Sequence, residues 1–211
     1  ALGGLGDLPK AMAAYTEASR LYRVAGDRRG VARSLNSVAI VLRDQGDLAR
    51  ARSMYEQSLA TYKEIGDERN FVVVTANLAN ILRQQGDLRG ATARYQEALD
   101  GARRIDDRRT EAQVLHSSAI TLRQQGNLDG ARARYQQALS IRRDLGDRRG
   151  VASTLNNLGN VLYDLEDLAG ARTHYEESLS ISRELGDKNG IALALGNVAG
   201  VQADQGNLAA A

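Results

Sequence analysis

The chain has 211 residues, 43% of them hydrophobic but only 4% aromatic, with no Cys, no Trp and a single proline, Pro9. Lys plus Arg exceed Asp plus Glu by 28 − 26 = 2, so the formal charge is close to balanced. Disulfides, thiolate metal sites and a Cys nucleophile are thereby excluded, and no apolar stretch approaches the ~18 uninterrupted residues of a membrane span.

A proline-poor composition rich in Ala, Leu, Arg, Glu and Gln is that of helices. In chain order, residues 1–6 read as the tail of one helix, and Gly6-Asp7 opens a second at Leu8. Gly26-Asp27, Gly46-Asp47, Gly66-Asp67 and Gly86-Asp87 follow, predicting helices over about 28–45, 48–65 and 68–85 in two alternating types. Glycine adopts the left-handed conformation that ends a helix, and the Asp after it caps the free amides of the next. The pattern continues through Gly126-Asn127, Gly146-Asp147, Gly186-Asp187 and Gly206-Asn207, after which residues 207–211 read as the first turn of another helix. Connections of about two residues make neighbours antiparallel hairpins. Asp106 and Glu166 stand where the helix-ending glycine is expected. Either those turns differ in shape or they hold a left-handed residue at a cost of roughly 1 kcal/mol.

The whole sequence superposes on itself at a shift of 40 without a gap. Leu8, Leu48, Leu88, Leu128, Leu168 and Leu208 form one column, and Ala11, Ala51, Ala91, Ala131, Ala171 and Ala211 another. Tyr15, Tyr55, Tyr95, Tyr135 and Tyr175 form a third. On a wheel of 3.6 residues per turn, Leu35, Val38, Ala39 and Leu42 face the partner helix. The column of Val41, Ile81, Thr121, Val161 and Val201 points elsewhere and is still mostly apolar, as expected of a helix wedged between neighbours.

Leu155-Asn156-Asn157-Leu158-Gly159-Asn160, followed by Asp167-Leu168, Ala171, Tyr175, Ser178 and Leu179, resembles the tetratricopeptide repeat. Ala39, Ala79, Ala119, Gly159 and Ala199 match the small residue of that family's first helix, and Ser58, Ala98, Ala138 and Ser178 a small position on the second. The period is 40 rather than ~34 residues, and the usual proline after the second helix is missing. The chain's lengthened helices ending in Gly-Asp are similar to the 40-residue repeats of kinesin light chains, Pins-type adaptors and many bacterial regulatory proteins. The resemblance implies an all-α fold, a right-handed α–α solenoid of antiparallel helix pairs. Residues 1–211 are expected to be one array of about five repeats, cut inside a repeat at both ends and so a fragment of a longer protein.

In such a fold the remaining sector of the first helices lines a concave groove where peptides bind. Its columns are Asn36, Ala76, His116, Asn156 and Gly196; Ile40, Asn80, Ile120, Asn160 and Gly200; and Arg43, Arg83, Arg123, Tyr163 and Ala203. A fourth, at the edge, is Asp44, Gln84, Gln124, Asp164 and Asp204. Arg43, Arg83 and Arg123 are predicted to meet acidic side chains at every third residue of an extended peptide, because first helices lie about 8–10 Å apart and a strand advances about 3.3 Å per residue. Asn80 and Asn160 offer the peptide backbone a donor and an acceptor each, and His116, Asn156 and Tyr163 complete the candidate site. Against this, each arginine also suits its place in the last turn of a helix, and Arg43 and Arg83 each have an acid four residues on, Asp47 and Asp87.

The expected function is a protein–protein interaction scaffold binding an extended, acidic peptide. The alternative is a regulatory or self-assembly module packing on its own parent chain or on a second copy, for which Leu2, Leu5 and Leu208 near the ends provide apolar surface. The ligand is expected to be protein or peptide, with no nucleic acid and no membrane. No enzyme, no cofactor and no metal site are expected, since no Walker loop, GxSxG or HExxH occurs. The absence of Cys and of a charged-then-apolar leader points to the cytoplasm.

Overall fold

A computed structural model describes residues 8–206. The terminal stretches 1–7 and 207–211, including Leu2, Leu5 and Leu208 and the helix fragments expected there, lie outside the described residues. Ten helices of 17 residues each account for nearly all the described chain, and no strand occurs among these residues. Two compact units divide between Asp107 and Arg108. The first contains α1 (Leu8–Val24), α2 (Arg28–Asp44), α3 (Leu48–Glu64), α4 (Glu68–Gln84) and α5 (Leu88–Arg104). The second contains α6 (Arg108–Gln124), α7 (Leu128–Asp144), α8 (Arg148–Asp164), α9 (Leu168–Glu184) and α10 (Lys188–Asp204). In each unit, every helix packs on the next in sequence, and in the second α6 also touches α8 and α8 touches α10.

The predicted punctuation is realised at the level of single hydrogen bonds. At the α2–α3 turn Gly46 has φ 81°, its amide donates to the Arg43 carbonyl at 2.9 Å, and the Asp47 amide donates to the Leu42 carbonyl at 2.9 Å. That pair of bonds is the glycine-ended closure that satisfies the last carbonyls of a helix. Asp47 then caps α3 by accepting from the Arg50 amide at 3.1 Å. Asp106 and Glu166 take the same shape without glycine, at φ 53° and 63°. The Asp167 amide still reaches the Leu162 carbonyl at 2.9 Å and the Asp107 amide the Ala102 carbonyl at 2.9 Å. The turn geometry is therefore constant, and these two residues hold the left-handed strain.

The core follows the repeat columns. In the first unit, Ala39 and Leu42 of α2, Ala51 and Tyr55 of α3, Leu78 and Ala79 of α4, and Ala91 and Tyr95 of α5 are buried. In the second, Ala119, Ala131, Tyr135, Leu155, Leu158, Val161, Ala171 and Tyr175 form one buried cluster. The Val41, Ile81, Thr121, Val161 and Val201 column is buried throughout, as expected of wedged helices. The small columns are small because helices cross there. Ser58 Oγ donates to the Ala32 carbonyl and Ser178 Oγ to the Ala152 carbonyl, each at 2.8 Å across a hairpin. At Gly159 an added Cβ would lie 2.5 Å from Tyr175 Cε1, so the tyrosine ring has closed over that position.

Candidate functional site

The first-type helices are α2 and α4 in one unit and α6, α8 and α10 in the other. Their partly exposed face holds the candidate residues, and two ladders of side-chain contacts at a spacing of 41 residues organise it. The first is built of amides. Asn77 donates to Asn36 Oδ1 at 3.4 Å, Asn157 Nδ2 approaches His116 Nε2 at 3.2 Å, and Asn197 donates to Asn156 Oδ1 at 2.9 Å. The second joins the third and fourth columns. Arg123 Nε and Nη2 bind the Asp164 carboxylate at 2.5 and 3.1 Å, and the Tyr163 hydroxyl donates to Asp204. Within each unit, residue i on one first-type helix thus meets residue i+41 on the next, so the groove columns stitch repeats of that unit together.

The arginines differ in their partners. Arg43 turns back onto its chain neighbour Asp44, with Nε and Nη2 at 3.0 and 2.8 Å from Oδ1, and not onto Asp47. Arg123 is neutralised across the ladder by Asp164. Arg83 lies between these in sequence but has Gln84 beside it and Gln124 forty-one residues on. It makes no ion pair with any described residue, including Asp87, and its Nε is buried without an acceptor. The acid four residues on is therefore not the partner of either arginine. The reason is geometric, because Asp47 and Asp87 are consumed capping the following helix through the amides of Arg50 and Gly90.

The asparagines meet the tyrosine core. Tyr95 donates its hydroxyl to Asn80 Oδ1 and Tyr175 to Asn160 Oδ1, each at 2.7 Å and each 15 residues apart in sequence. Asn80 Nδ2 in turn donates to the Ala76 carbonyl at 3.1 Å, so both ends of that amide are engaged. At Asn160 the acceptor is taken and the NH₂ group makes no hydrogen bond with any described residue, which leaves a donor held in one orientation. Asn156 is similar, since its Oδ1 is occupied by Asn197. Where the column has Ile40 instead of Asn, the Tyr55 hydroxyl is buried with no partner, and burial pushes its pKa up to about 12.

His116 is enclosed. Its ring stands edge-on to Tyr135 with centroids 5.2 Å apart. Nδ1 is 3.3 Å from Thr154 Oγ1 and 3.4 Å from Arg142 Nη1. The Thr154 hydroxyl proton is committed to the Gly150 carbonyl at 2.8 Å. Thr154 Oγ1 and the donor-only Arg142 Nη1 thus both face Nδ1, and the Asn157 amide faces Nε2. Burial, and then the neighbouring Arg142 cation, push the pKa down to about 4, so the imidazole is neutral. Both ring nitrogens serve contacts among α6, α7 and α8, and neither is free for a ligand. Tyr163, by contrast, is 40% exposed. Further toward the start of the same helix, Asn156 and Asn157 line a crevice of about 250 Å³ with Ser153, Asn189 and Leu193. Sequence reasoning missed Asn77, Asn157, Asn197 and Arg142. Arg142 was visible as the one charge in a column otherwise made of Tyr22, Tyr62, Ala102 and Ser182.

Among the described residues no cluster of three or more His, Asp or Glu side chains suits a metal ion, and no helix is long and apolar enough to cross a membrane.

The helix-pair architecture has close structural counterparts. BtubC (BKLC) from P. vanneervenii superposes with a TM-score of 0.84 at 20% identity, covering 94% of this chain and 84% of that one. Aspartyl phosphate phosphatase F from Bacillus subtilis superposes at 0.82 with 12% identity, over 90% of this chain, and the apo form of RapI at 0.77 with 15% identity, over 92%. The present chain spans about half the length of the latter two, 51% and 54%. At such identities the likeness establishes the fold. No curated protein sequence matches the chain. The family model for the tetratricopeptide repeat matches residues 1–64, 71–144 and 150–211, almost the full sequence. With its repeat columns, its closing turns and its helix pairing all in agreement, the chain belongs to the tetratricopeptide-repeat family.

Proposed function

We propose that this chain is a protein–protein interaction scaffold and that the exposed face of its first-type helices docks an extended segment of a partner protein. The observation that carries this reading is the state of the face amides. The core and the ladder take the acceptor oxygens of Asn156 and Asn160 and leave their NH₂ donors fixed and without an acceptor among the described residues. Side chains pre-oriented in this way give a peptide carbonyl a partner at little entropic cost. Arg83, whose guanidinium has no ion-pair partner among the described residues, adds positive charge, and Tyr163 adds an exposed ring with a polar tip. The favoured ligand is an extended peptide with acidic character. Asn80 and His116, whose polar atoms are already engaged, shape the face more than they bind.

Peptide-library selection tests the proposal, run in parallel on the chain and on the triple variant Arg43→Glu, Arg83→Glu, Arg123→Glu, after circular dichroism has shown equal helicity. Enrichment of acidic extended peptides by the chain and their loss from the variant is the expected result. Recovery of the same peptides by both would remove charge reading from the function.

Self-assembly is the second reading, and one observation favours it: Leu193 and Leu195 of α10 are 63% and 44% exposed. Light scattering separates the two, because packing of copies through that face gives a mass that rises with concentration.

A further inference from the structure

We infer that Arg83 is the one carboxylate-binding residue of the docking face, and that the ligand presents a single acid there, not an acid at every third position. The inference rests on the peptide-docking reading and narrows it. Of the three column arginines, Arg43 and Arg123 arrive already neutralised by Asp44 and Asp164. Both use the same edge of the guanidinium, Nε with Nη2, to hold their internal carboxylate. The corresponding edge of Arg83 faces no acceptor, and its Nε is buried and unsatisfied.

A buried N–H without an acceptor is rare and costly in folded chains. At a long side chain that is still partly exposed, a small outward turn exposes the edge to an incoming ligand. The other two arginines of the column show how a carboxylate then sits on it. Arg83 also occupies the last turn of α4, but a helix end alone asks for a cation and is indifferent to whether its Nε has an acceptor. A carboxylate fits better than a polyanion for an electrostatic reason. A nucleic acid needs several uncompensated cations, whereas this column presents one, with Asp44 beside Arg43 and Asp164 beside Arg123.

The test uses two kinds of probe. The first is a fluorescent decapeptide library carrying one Glu at a scanned position, its Gln counterpart, and both again with free or amidated C-termini. The second is acetate alone, followed through the Nε–H resonance of Arg83, which the Arg83→Lys variant identifies. Glu peptides are expected to bind about tenfold or more tightly than Gln peptides, a typical effect for a charge-assisted pair. That preference should vanish in Arg83→Gln and persist in Arg43→Gln and Arg123→Gln. Acetate is expected to shift the Arg83 resonance. Dependence on a free C-terminus and not on Glu assigns the same site to a chain-terminal carboxylate.

Equal losses in all three variants overturn the inference while leaving peptide docking intact. So do peptides that bind without any Glu preference. An acetate shift with no peptide binding upholds the Arg83 site and overturns the docking reading. A DNA duplex bound more tightly than any Glu peptide, in an Arg83-dependent way, overturns the choice of carboxylate.

Discussion

His116 makes the face sensitive to acid. The folded chain holds its imidazole neutral, with Nδ1 beside Thr154 and Arg142 and Nε2 beside Asn157. Protonation would make both ring nitrogens donors in an enclosed site and place a cation beside Arg142, the charged group that contacts the ring. The unfolded chain titrates near 6.5 and the folded chain at about 4. A base whose folded pKa is depressed contributes full stability above its unfolded value and loses it as pH falls. The loss therefore begins near pH 6.5 and is complete at about pH 4, and the gap between the two values corresponds to at most roughly 3 kcal/mol. Urea unfolding followed by circular dichroism from pH 7.5 to 3.5 measures it, with His116→Gln as the reference that removes this titration and keeps the carboxylates common to both. The stability difference between the two proteins should shrink steadily across the window. A difference that stays flat, or a His116 ring resonance titrating near 6.5 in the folded protein, would refute the enclosed neutral imidazole.

The tyrosine column gives a pair of opposite results. Tyr55→Phe removes a hydroxyl that has no partner and should be neutral or slightly stabilising, whereas Tyr175→Phe breaks the bond to Asn160 and should cost about 1 kcal/mol by denaturant midpoint. Glu166→Gly relieves a left-handed residue at φ 63° and should raise stability by roughly 0.5–1 kcal/mol, and a thermal midpoint that falls would count against strain there. Ala131→Leu overfills a fully buried crossing and should cost about 1–3 kcal/mol. In hydrogen exchange that loss should appear first in α6, α7 and α8, and uniform loss along the chain would contradict repeat-wise stability.

The fold was legible because one signal repeats without a gap. Helix ends predicted at 45, 65 and 85 fall within a residue of Asp44, Glu64 and Gln84, since the Gly-Asp pair both stops and starts a helix. The face was legible as a set of columns, but the function of its members was not. A column compares equivalent residues, whereas the contacts join residue i to i+41 and i to i+15, offsets that depend on how neighbouring helices lie. Arg123 therefore read as a free cation, although its acid is Asp164 in the next repeat. Asn80 and Asn160 read as open amides, although the buried Tyr95 and Tyr175 send their hydroxyls to them. His116 read as a ligand candidate because Arg142 and Thr154, which enclose it, lie on two other helices.

Amide chemical-shift mapping of the chain with its best selected peptide tests the docking face most directly. Perturbations are expected on α2, α4, α6 and α8, centred on Arg83, Asn156, Asn160 and Tyr163, with the second-type helices α3, α5, α7 and α9 unchanged. Perturbations confined to the second-type helices, or to Leu193 and Leu195 of α10, would contradict recognition by that face.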